Sequence, residues 1–356
     1  MTNPDQWRAL LLAWYDAGHR ELAWRPPPGA GAGRVDPYLV LVSEAMLQQT
    51  QVATVVGYFN RFIERFPTLA ALAEADEQAV LTAWQGLGYY RRARNLHAAA
   101  RAIVAEHGGR VPDDADALLK LPGVGRYTAG AVASIAYDRP APIVDGNVAR
   151  VFARLTHLTD PIDKPEAQRT LWRLAGDYAD GPRPGDANQA LMELGATVCM
   201  PRVPHCLTCP LRTVCRGVRE TNPEGLPIKS PKRGPKAVTH GVLAIRDADD
   251  RYLFTQRPDT GLWSGMWQLP TREDGPATAA WAKSSLGVTI TRPRACQAMP
   301  EFTHATTHRR ITFAIGVATL KGKAPDDQTW RSLDALDDLP LPNPQRKIVA
   351  TLLNGS

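Results

Sequence analysis

The stretch that decides the fold of the first half of the chain is residues 121–134, which read LPGVGRYTAGAVAS. Gly123 and Gly125 lie two residues apart after a proline, and small helix formers follow them. Glycines before a helix let its first backbone amides approach an anion such as a phosphate. Taken alone, the glycine pair is better explained as an ordinary turn between two helices. The stretch therefore predicts two helices joined by a tight turn.

Apolar residues on both sides of this turn recur with helical spacing. They are Leu96, Ala99, Ala100 and Ile103 before it, and Val148, Val151, Phe152 and Leu155 after it. The i, i+3, i+4, i+7 pattern marks one buried face on each helix. No comparable run of strict alternation occurs before about residue 220, so the first part of the chain is predicted to be all-α.

A different pattern begins after residue 220. Residues 221–237 are rich in Pro, Gly and Lys, which is typical of a linker. Beyond them, VTHGVLAIR, RYLFTQR and RRITFAIGVATL are β-branched and aromatic runs, and PATAAWAKSSLG has a helical composition. Residues 238–356 are therefore predicted to be α+β. A length of 356 residues also favours two domains.

Composition excludes a membrane protein. Hydrophobic residues make up 44% of the chain and charged residues 22%, close to the globular average. The longest stretch without a charge, Ala45–Asn60, contains three glutamines, whereas a membrane helix needs about 20 apolar residues. The first residues show no secretory cleavage site, so we expect a cytoplasmic protein.

Positive charge is concentrated in one segment, Pro201–Lys236. Its eight basic residues against two acids equal the whole formal net charge of +6. The basic residues are Arg202, Arg212, Arg216, Arg219, Lys229, Lys232, Arg233 and Lys236. Such a segment suits a polyanion partner, because Lys and Arg displace counterions from phosphates, but charge alone favours a solubilising linker equally.

Four of the five cysteines form one cluster with the spacing C-x6-C-x2-C-x5-C. They are Cys199, Cys206, Cys209 and Cys215, while Cys296 stands apart. Disulfides do not persist in a reducing cytoplasm, so clustered thiols indicate a metal site. A zinc ribbon typically has two C-x2-C pairs, and only one occurs here. The spacing therefore favours a [4Fe-4S] cluster over zinc and leaves both open.

Two carboxylates stand in contexts that suggest chemistry. Asp145, in APIVDGNVARVF, directly precedes a helical stripe and could cap that helix. Helix amides would keep such a carboxylate ionised, which suits stabilising a cation. Glu44, in PYLVLVSEAMLQQTQV, has the apolar neighbours Val40, Leu41 and Leu47 at helical spacing.

Burial of Glu44 would raise its pKa and let it carry a proton near neutrality. A structural alternative turns Glu44 to the polar side of the helix with Gln48 and Gln51, and has equal weight on the pattern alone. One protonated and one ionised carboxyl is the pairing that breaks glycosidic bonds through an oxocarbenium-like state.

Six motifs then coincide with one known family. They are SEAMLQQTQV, LGYYRRARNLH, LPGVGRYTAGA, VDGNVAR, NQALMELGA and the spaced cysteines. Residues 7–220 closely resemble the adenine DNA glycosylases of the MutY type, in the helix-hairpin-helix glycosylase superfamily. The resemblance implies an all-α helix-hairpin-helix glycosylase fold for residues 1–220. Its six-helix barrel would span about 30–140, and its [4Fe-4S] cluster domain would combine 1–29 with 141–220.

The resemblance also implies a base-excision repair enzyme that flips adenine, mispaired with 8-oxoguanine or guanine, out of duplex DNA. Glu44 would protonate N7 of adenine, Asp145 would stabilise or transiently bond the sugar cation, and Asn147 would support Asp145. Tyr127 stands where bifunctional relatives carry a Schiff-base lysine, which implies a monofunctional glycosylase. The other implied site residues are Gln49, Tyr89, Arg91, Gly123 and Gly125 for DNA, Trp24 and Arg25 for the adenine pocket, and the four clustered cysteines for the [4Fe-4S] cluster.

Residues 238–356 resemble, more weakly, the MutT-like (Nudix) domain of the same family. GLWSGMWQLP is similar to its signature loop, but AAWAKSSLG lacks the glutamates that would hold magnesium, so we expect no pyrophosphatase activity. FTHATTHRRIT aligns with the stretch that contacts 8-oxoguanine, where Phe-Ser-His is typical. This chain has Thr306, Thr307 and His308, so Thr307 and His308 are expected to read the lesion without the aromatic residue.

Two other interpretations remain at this point: an endonuclease III-type pyrimidine glycosylase and lyase, and a non-catalytic iron–sulfur DNA-binding or electron-transfer protein. Tyr127 in place of lysine argues against the first, and the contexts of Glu44 and Asp145 argue against the second. The expected partner is double-stranded DNA containing A opposite 8-oxoguanine, without a membrane, bound by a monomer at the nucleoid. The sequence assigns no function to Cys296.

Overall fold

The structure is a computed structural model, and it describes residues 3–25, 35–220, 222–231, 234–273, 275–325 and 328–354. Lys232 and Arg233 of the basic segment, and residues 26–29 at the end of the expected N-terminal part of the cluster domain, lie outside these ranges. The chain packs as two compact units: Met1–Glu74 with Asn95–Pro231, and Ala75–Arg94 with Lys232–Ser356. The second unit therefore includes a segment that the sequence places within the barrel.

The described residues form fourteen α-helices. In order they are α1 (Pro4–Ala17), α2 (Pro37–Leu47), α3 (Val52–Arg65), α4 (Leu69–Glu74), α5 (Glu77–Ala83), α6 (Arg91–His107), α7 (Ala115–Leu118), α8 (Arg126–Tyr137), α9 (Gly146–Thr156), α10 (Pro165–Ala179), α11 (Pro184–Thr197), α12 (Arg216–Glu220), α13 (Ala279–Leu286) and α14 (Asn343–Asn354). None of these helices is long and apolar enough to cross a membrane.

The first unit is built from helices alone among its described residues, as the apolar spacing predicted. Its central helix is α8, which packs against α2 and α11 and is buried from Thr128 to Ala136. Small side chains allow this close packing. A methyl group added at Gly130 would lie 2.1 Å from the carbonyl oxygen of Pro142. The small residues that follow the glycine turn therefore have a packing role.

Residues 222–231 pack on the first unit, although their composition is typical of a linker. Leu226 is buried, and its carbonyl oxygen accepts a hydrogen bond of 2.8 Å from Arg154. The backbone amide of Ile162 donates to the carbonyl oxygen of Ile228. These bonds fix the segment because each satisfies a backbone group that would otherwise need water.

The second unit is an α+β domain, as predicted. Its strands are β1 (Lys236–Arg246), β2 (Tyr252–Gln256), β3 (Trp267–Gln268), β4 (Thr271–Arg272), β5 (Arg294–Ala295), β6 (Glu301–Ala305), β7 (Arg309–Thr319) and β8 (Thr329–Arg331). They form one mixed sheet with the order β3-β2-β1-β7-β5, in which β4 also pairs with β1, β6 with β7, and β8 with β2. β1 and β7 are parallel, with Lys236 opposite Arg309 and Arg246 opposite Thr319.

Strand β1 is buried on both faces of this sheet. Val242 and Ala244 face one hydrophobic core, which also contains Ile348 of α14. Leu243 and Ile245 face the other core, which contains Ala282 of α13. Because side chains alternate along a strand, one helix covers each face of the sheet.

Candidate active site

A cavity of about 930 Å³ opens within the first unit. Its walls come from α2, from the first turns of α8 and α9, from α11, and from residues 20–25 after α1. Both carboxylates singled out in the sequence, Glu44 and Asp145, line this cavity, together with Tyr127 and Asn147. Residues from distant parts of the sequence therefore meet at one site.

Glu44 lies within the buried part of α2, residues 40–46, and only 4% of the residue is exposed. Burial raises the pKa of Glu44 to about 7. A hydrogen bond from Tyr127 and the charge of Arg25 oppose this rise, whereas the nearby Asp145 adds to it. Its Oε2 atom has no hydrogen-bond partner. Glu44 can therefore carry a proton near neutral pH.

Asp145 caps the N-terminus of α9, as its position before the helical stripe predicted. Its Oδ1 accepts a hydrogen bond of 2.7 Å from the amide of Val148, and its Oδ2 accepts one of 3.0 Å from Nδ2 of Asn147. These donors were expected to lower the pKa of Asp145, but the pKa is raised. Burial raises the pKa of Asp145 more than the hydrogen bonds lower it, because the carboxylate loses water on entering the cavity wall.

Asn147 is held in place by a second residue of α9. Nη2 of Arg150 donates to Oδ1 of Asn147 at 2.8 Å, which turns the amide nitrogen of Asn147 toward Asp145. Gly195 of α11 packs against Asn147, and a methyl group there would lie 2.7 Å from Cβ of Asn147. The orientation of the amide beside Asp145 is therefore fixed from two sides.

Tyr127 lies in the first turn of α8, and its hydroxyl has two acceptors. It is a hydrogen-bond partner of Glu44 and lies 3.2 Å from the sulfur of Met192, on α11. Burial, with the charges of Glu44 and Asp145, raises the pKa of Tyr127 well above its ordinary value, so the phenol stays protonated. Residue 127 offers no amine to the cavity.

Trp24 and Arg25, which follow α1, line the same cavity. Trp24 is buried and packs edge-on against Phe59, with ring centroids 5.0 Å apart, so it has a core contact as well as a cavity face. Nη1 of Arg25 lies 3.0 Å from Oε2 of Glu193, and its Nε donates to Gln189 at 3.1 Å.

Glu193 and Gln189 belong to α11 and line the cavity, but sequence reasoning assigned them no role. The Glu193 side chain is only 2% exposed, and Arg20 binds it through Nε at 2.7 Å and Nη2 at 2.9 Å. The motif NQALMELGA was the available signal, because it puts two polar residues one helical turn apart. Both residues line the cavity, where Arg20 and Arg25 hold the Glu193 carboxylate.

The turn at Gly123 and Gly125 joins α7 to α8, so residues 115–137 form a helix-hairpin-helix unit. Gly123 has φ +72°, and a methyl group on it would lie 2.3 Å from Cβ of Asn95. Gly125 caps α8 without a side chain. The first amides of α8 therefore remain open to an anion.

Gln49 projects from the first unit just after α2. It is exposed and adopts φ 58°, a left-handed conformation that is uncommon for a residue with a side chain. Gln49 also lines the cavity that holds Glu44 and Asp145.

In the second unit, Tyr89 is also left-handed, with φ 50°, and it is 49% exposed. Its hydroxyl lies 3.1 Å from Oγ1 of Thr307, which stands with His308 in the exposed turn between β6 and β7. The carbonyl of His308 accepts a hydrogen bond from Lys236 at the start of β1. Arg91, at the start of α6, is exposed. Tyr89 and the turn thus form one surface.

The four clustered cysteines line one cavity of about 30 Å³, in the loop that follows α11. Nη1 of the buried Arg154 lies 3.4 Å from the sulfur of Cys199. Burial raises the pKa of the Cys209 thiol to about 12, and raises those of Cys206 and Cys215. Within the described ranges, no group of three His, Cys, Asp or Glu side chains is close enough to hold a single metal ion.

The helical hairpin, the two buried carboxyls and the sheet domain can be compared with known protein families. Residues 42–176 match the family described as HhH-GPD superfamily base excision DNA repair protein, and residues 241–351 match the NUDIX domain. A solved structure of a thermostable thymine-DNA glycosylase is 28% identical, with a TM-score of 0.54 over 61% of this chain and 97% of its own.

Two curated relatives show which kind of DNA glycosylase the chain is similar to. The adenine DNA glycosylase of Rattus norvegicus is 36% identical over 374 residues, covering 90% of this chain and 72% of the rat protein. That of Buchnera aphidicola subsp. Schizaphis graminum is 30% identical over 344 residues, which cover 96% of each chain. The chain belongs to the adenine DNA glycosylase family.

Proposed function

We propose that this protein hydrolyses the N-glycosidic bond of adenine mispaired with 8-oxoguanine, or with guanine, in double-stranded DNA. The observation that carries the proposal is the pair of buried carboxyls on one cavity. Glu44, with a pKa raised to about 7, can hold a proton, and Asp145 accepts two hydrogen bonds that favour its ionised form. The cavity is large enough for a flipped base.

In the proposed reaction, Glu44 donates its proton to N7 of the flipped adenine. The bonding electrons then leave with the base, which departs neutral, and positive charge develops on the sugar. The Asp145 carboxylate stabilises that charge, and Asn147 orients Asp145. Ionised Glu44 can next accept a proton from the water that attacks the sugar. In a second form of the charge-stabilising step, Asp145 bonds transiently to the sugar.

Other residues of the chain have proposed roles in base recognition and DNA binding. Trp24 and Arg25 would contact adenine on the cavity wall. Gln49 and Tyr89, both exposed and left-handed, would wedge into the duplex where flipping removes stacking. The open amides at Gly123 and Gly125 and the exposed guanidinium of Arg91 would bind phosphates.

The test is single-turnover release of base from duplexes with one A opposite 8-oxoguanine, G or T. We expect fast release opposite 8-oxoguanine, slower release opposite G and little opposite T. Borohydride should trap no covalent protein–DNA adduct, because Tyr127 supplies no amine for a Schiff base. Release of a pyrimidine, or equal release from A opposite T, would contradict the proposal.

We also propose that Cys199, Cys206, Cys209 and Cys215 hold a [4Fe-4S] cluster. Their thiols share one cavity, and Arg154 directs an N–H group to the sulfur of Cys199. Burial disfavours ionisation of the other three thiols unless a metal cation binds them. The cluster would cross-link this loop and hold Arg212 near DNA phosphate.

Metal content tests this assignment. The purified protein should be brown, absorb near 400 nm and contain about four irons per chain. Cys206→Ser should lower the iron content, whereas Cys296→Ser, in the second unit, should leave it unchanged. One zinc and no iron would contradict the cluster and leave the glycosylase proposal standing.

Lesion reading is proposed for Thr307 and His308. Replacing both by Ala should reduce the preference for A opposite 8-oxoguanine over A opposite G by about tenfold or more, since each base-edge contact is worth roughly 1–3 kcal/mol. Thr303→Ala is the matched control, because it removes an exposed hydroxyl from the neighbouring strand β6. An unchanged preference at matched salt would mean that the lesion is read elsewhere.

We further propose that the protein acts as a monomer on nucleoid DNA in the cytoplasm. Sedimentation of the protein alone and with one duplex tests the stoichiometry. A dimer in either state would contradict this part of the proposal.

A further inference from the structure

The hydroxyl of Tyr127 has one proton and two acceptors. The sulfur of Met192 lies 3.2 Å from the hydroxyl oxygen, and Glu44 is the other hydrogen-bond partner of the phenol. Met192 is half-buried on α11 and lines the same cavity. The phenol itself remains protonated, so its single proton has to point at one acceptor or the other.

The preferred direction depends on the charge of Glu44. An ionised carboxylate is a much stronger acceptor than a thioether, so the phenol proton then points at Glu44. When Glu44 is protonated, its own O–H can donate to the phenol oxygen. The phenol proton then needs another acceptor, and Met192 is in place to provide it. Without that acceptor, a buried hydroxyl proton would be left unpaired, which destabilises this arrangement.

We propose that Met192 is a positioning residue for the acid: its sulfur accepts the Tyr127 hydroxyl proton while Glu44 is protonated, and so favours the acid form of Glu44. The proton that leaves for the substrate comes from Glu44 alone, and the phenol proton only rotates from sulfur to carboxylate. That the protonated form of Glu44 serves catalysis rests on the proposed function.

Other charged groups around Glu44 must stay constant in any test. They are Asp145 at the start of α9, Arg25 after α1, and Arg20 with Glu193 on the same cavity wall. Met192→Leu changes none of them. Leucine fills a similar volume, so the substitution usually costs little stability, and it removes only the sulfur acceptor.

The decisive measurement is the pKa of Glu44 in the free protein, followed by its side-chain ¹³C resonance, which Glu44→Gln identifies. Met192→Leu should lower this pKa by about half a unit to one unit, the effect of one lost weak hydrogen bond to the neutral form. Tyr127→Phe should shift it in the opposite direction, because the phenol is a donor to the ionised form. Met46→Leu, a fully buried methionine of α2 that does not line the cavity, should leave it unchanged.

The pH profile of single-turnover adenine release provides a second readout. Met192→Leu should slow release about threefold or more at pH 7.5 and leave it near the parent rate at pH 5.5. An unchanged or raised Glu44 pKa in Met192→Leu would overturn the proposal. If the parent releases no adenine, the proposed function fails, while the resonance titration still decides the role of Met192.

Discussion

The rate of adenine release is predicted to follow the protonated fraction of Glu44. Burial raises the pKa of this carboxyl to about 7. A group with that pKa is protonated in about nine molecules of ten at pH 6 and about one of ten at pH 8. If only the protonated form can donate to N7 of adenine, the chemical step should slow roughly tenfold between these two pH values.

Glu44→Gln tests whether that slope belongs to this residue. The amide occupies the same space but has no acidic proton, so release should fall by about 10²- to 10⁴-fold and the slope should disappear. Duplex binding should survive, because Glu44 is only 4% exposed and therefore lies below the protein surface. Glu64→Gln, an exposed position on α3, is the matched control and should keep both rate and slope.

The assay is single-turnover release at matched salt from pH 5.5 to 8.5, with duplex affinity measured at each pH. Affinity has to be separated from rate because phosphate contacts also change with conditions. A flat parent profile between pH 6 and 8 would refute the reasoning from burial. Release by Glu44→Gln within about tenfold of the parent, with the same slope, would remove Glu44 from the acid role.

Three further predictions concern stability and binding. The pKa of Glu44 in the folded protein, about 7, lies above its ordinary value of 4.5, so the stability that Glu44 contributes at pH 4 is lost as pH rises through about 7. Glu44→Gln has no such loss. In urea unfolding, the free energy of unfolding of Glu44→Gln minus that of the parent should therefore rise by up to about 3 kcal/mol from pH 4 to pH 8. Gly123→Ala should cost about 1–3 kcal/mol in unfolding and weaken duplex binding, whereas Gly125→Ala, with no atom within 4 Å of the added methyl group, should change unfolding by less than about 0.5 kcal/mol. Arg154→Ala should cost about 3 kcal/mol or more and lower iron content, because it leaves three backbone carbonyls without their donor, while exposed Arg169→Ala should change neither.

Local sequence was sufficient for features that depend on neighbours along one element. The apolar residues around Glu44 made burial one of two alternatives, and the structure shows that Glu44 is buried; the position of Asp145 before a helical stripe predicted the cap. The small residues after Gly125 predicted a helix, although not that α8 would be buried between α2 and α11. Each of these predictions rests on a period or a spacing that a single helix must satisfy.

Features that depend on distant contacts could not be predicted from local sequence. Arg25 and Glu193 are 168 residues apart in the chain, yet their side chains form a buried ion pair. The direction of the Asp145 pKa shift follows from burial by other elements, which local spacing does not reveal. The grouping of Ala75–Arg94 with the sheet unit is likewise a long-range result, since its bonds run to residues such as Gly265 and Leu341.

The two carboxyls of the cavity illustrate why burial alone does not assign a catalytic role. Both lose water, and burial raises both pKa values. They differ in their donors: Asp145 receives an amide and an asparagine N–H, whereas Glu44 shares one phenol proton with Met192 and has an unpartnered Oε2. Donors favour the anion, and their scarcity favours the acid. The number of hydrogen-bond donors thus distinguishes the acid, Glu44, from the cation stabiliser, Asp145. Removing a donor from Asp145, as in Asn147→Ala, should raise the pKa of Asp145 and slow adenine release most at low pH.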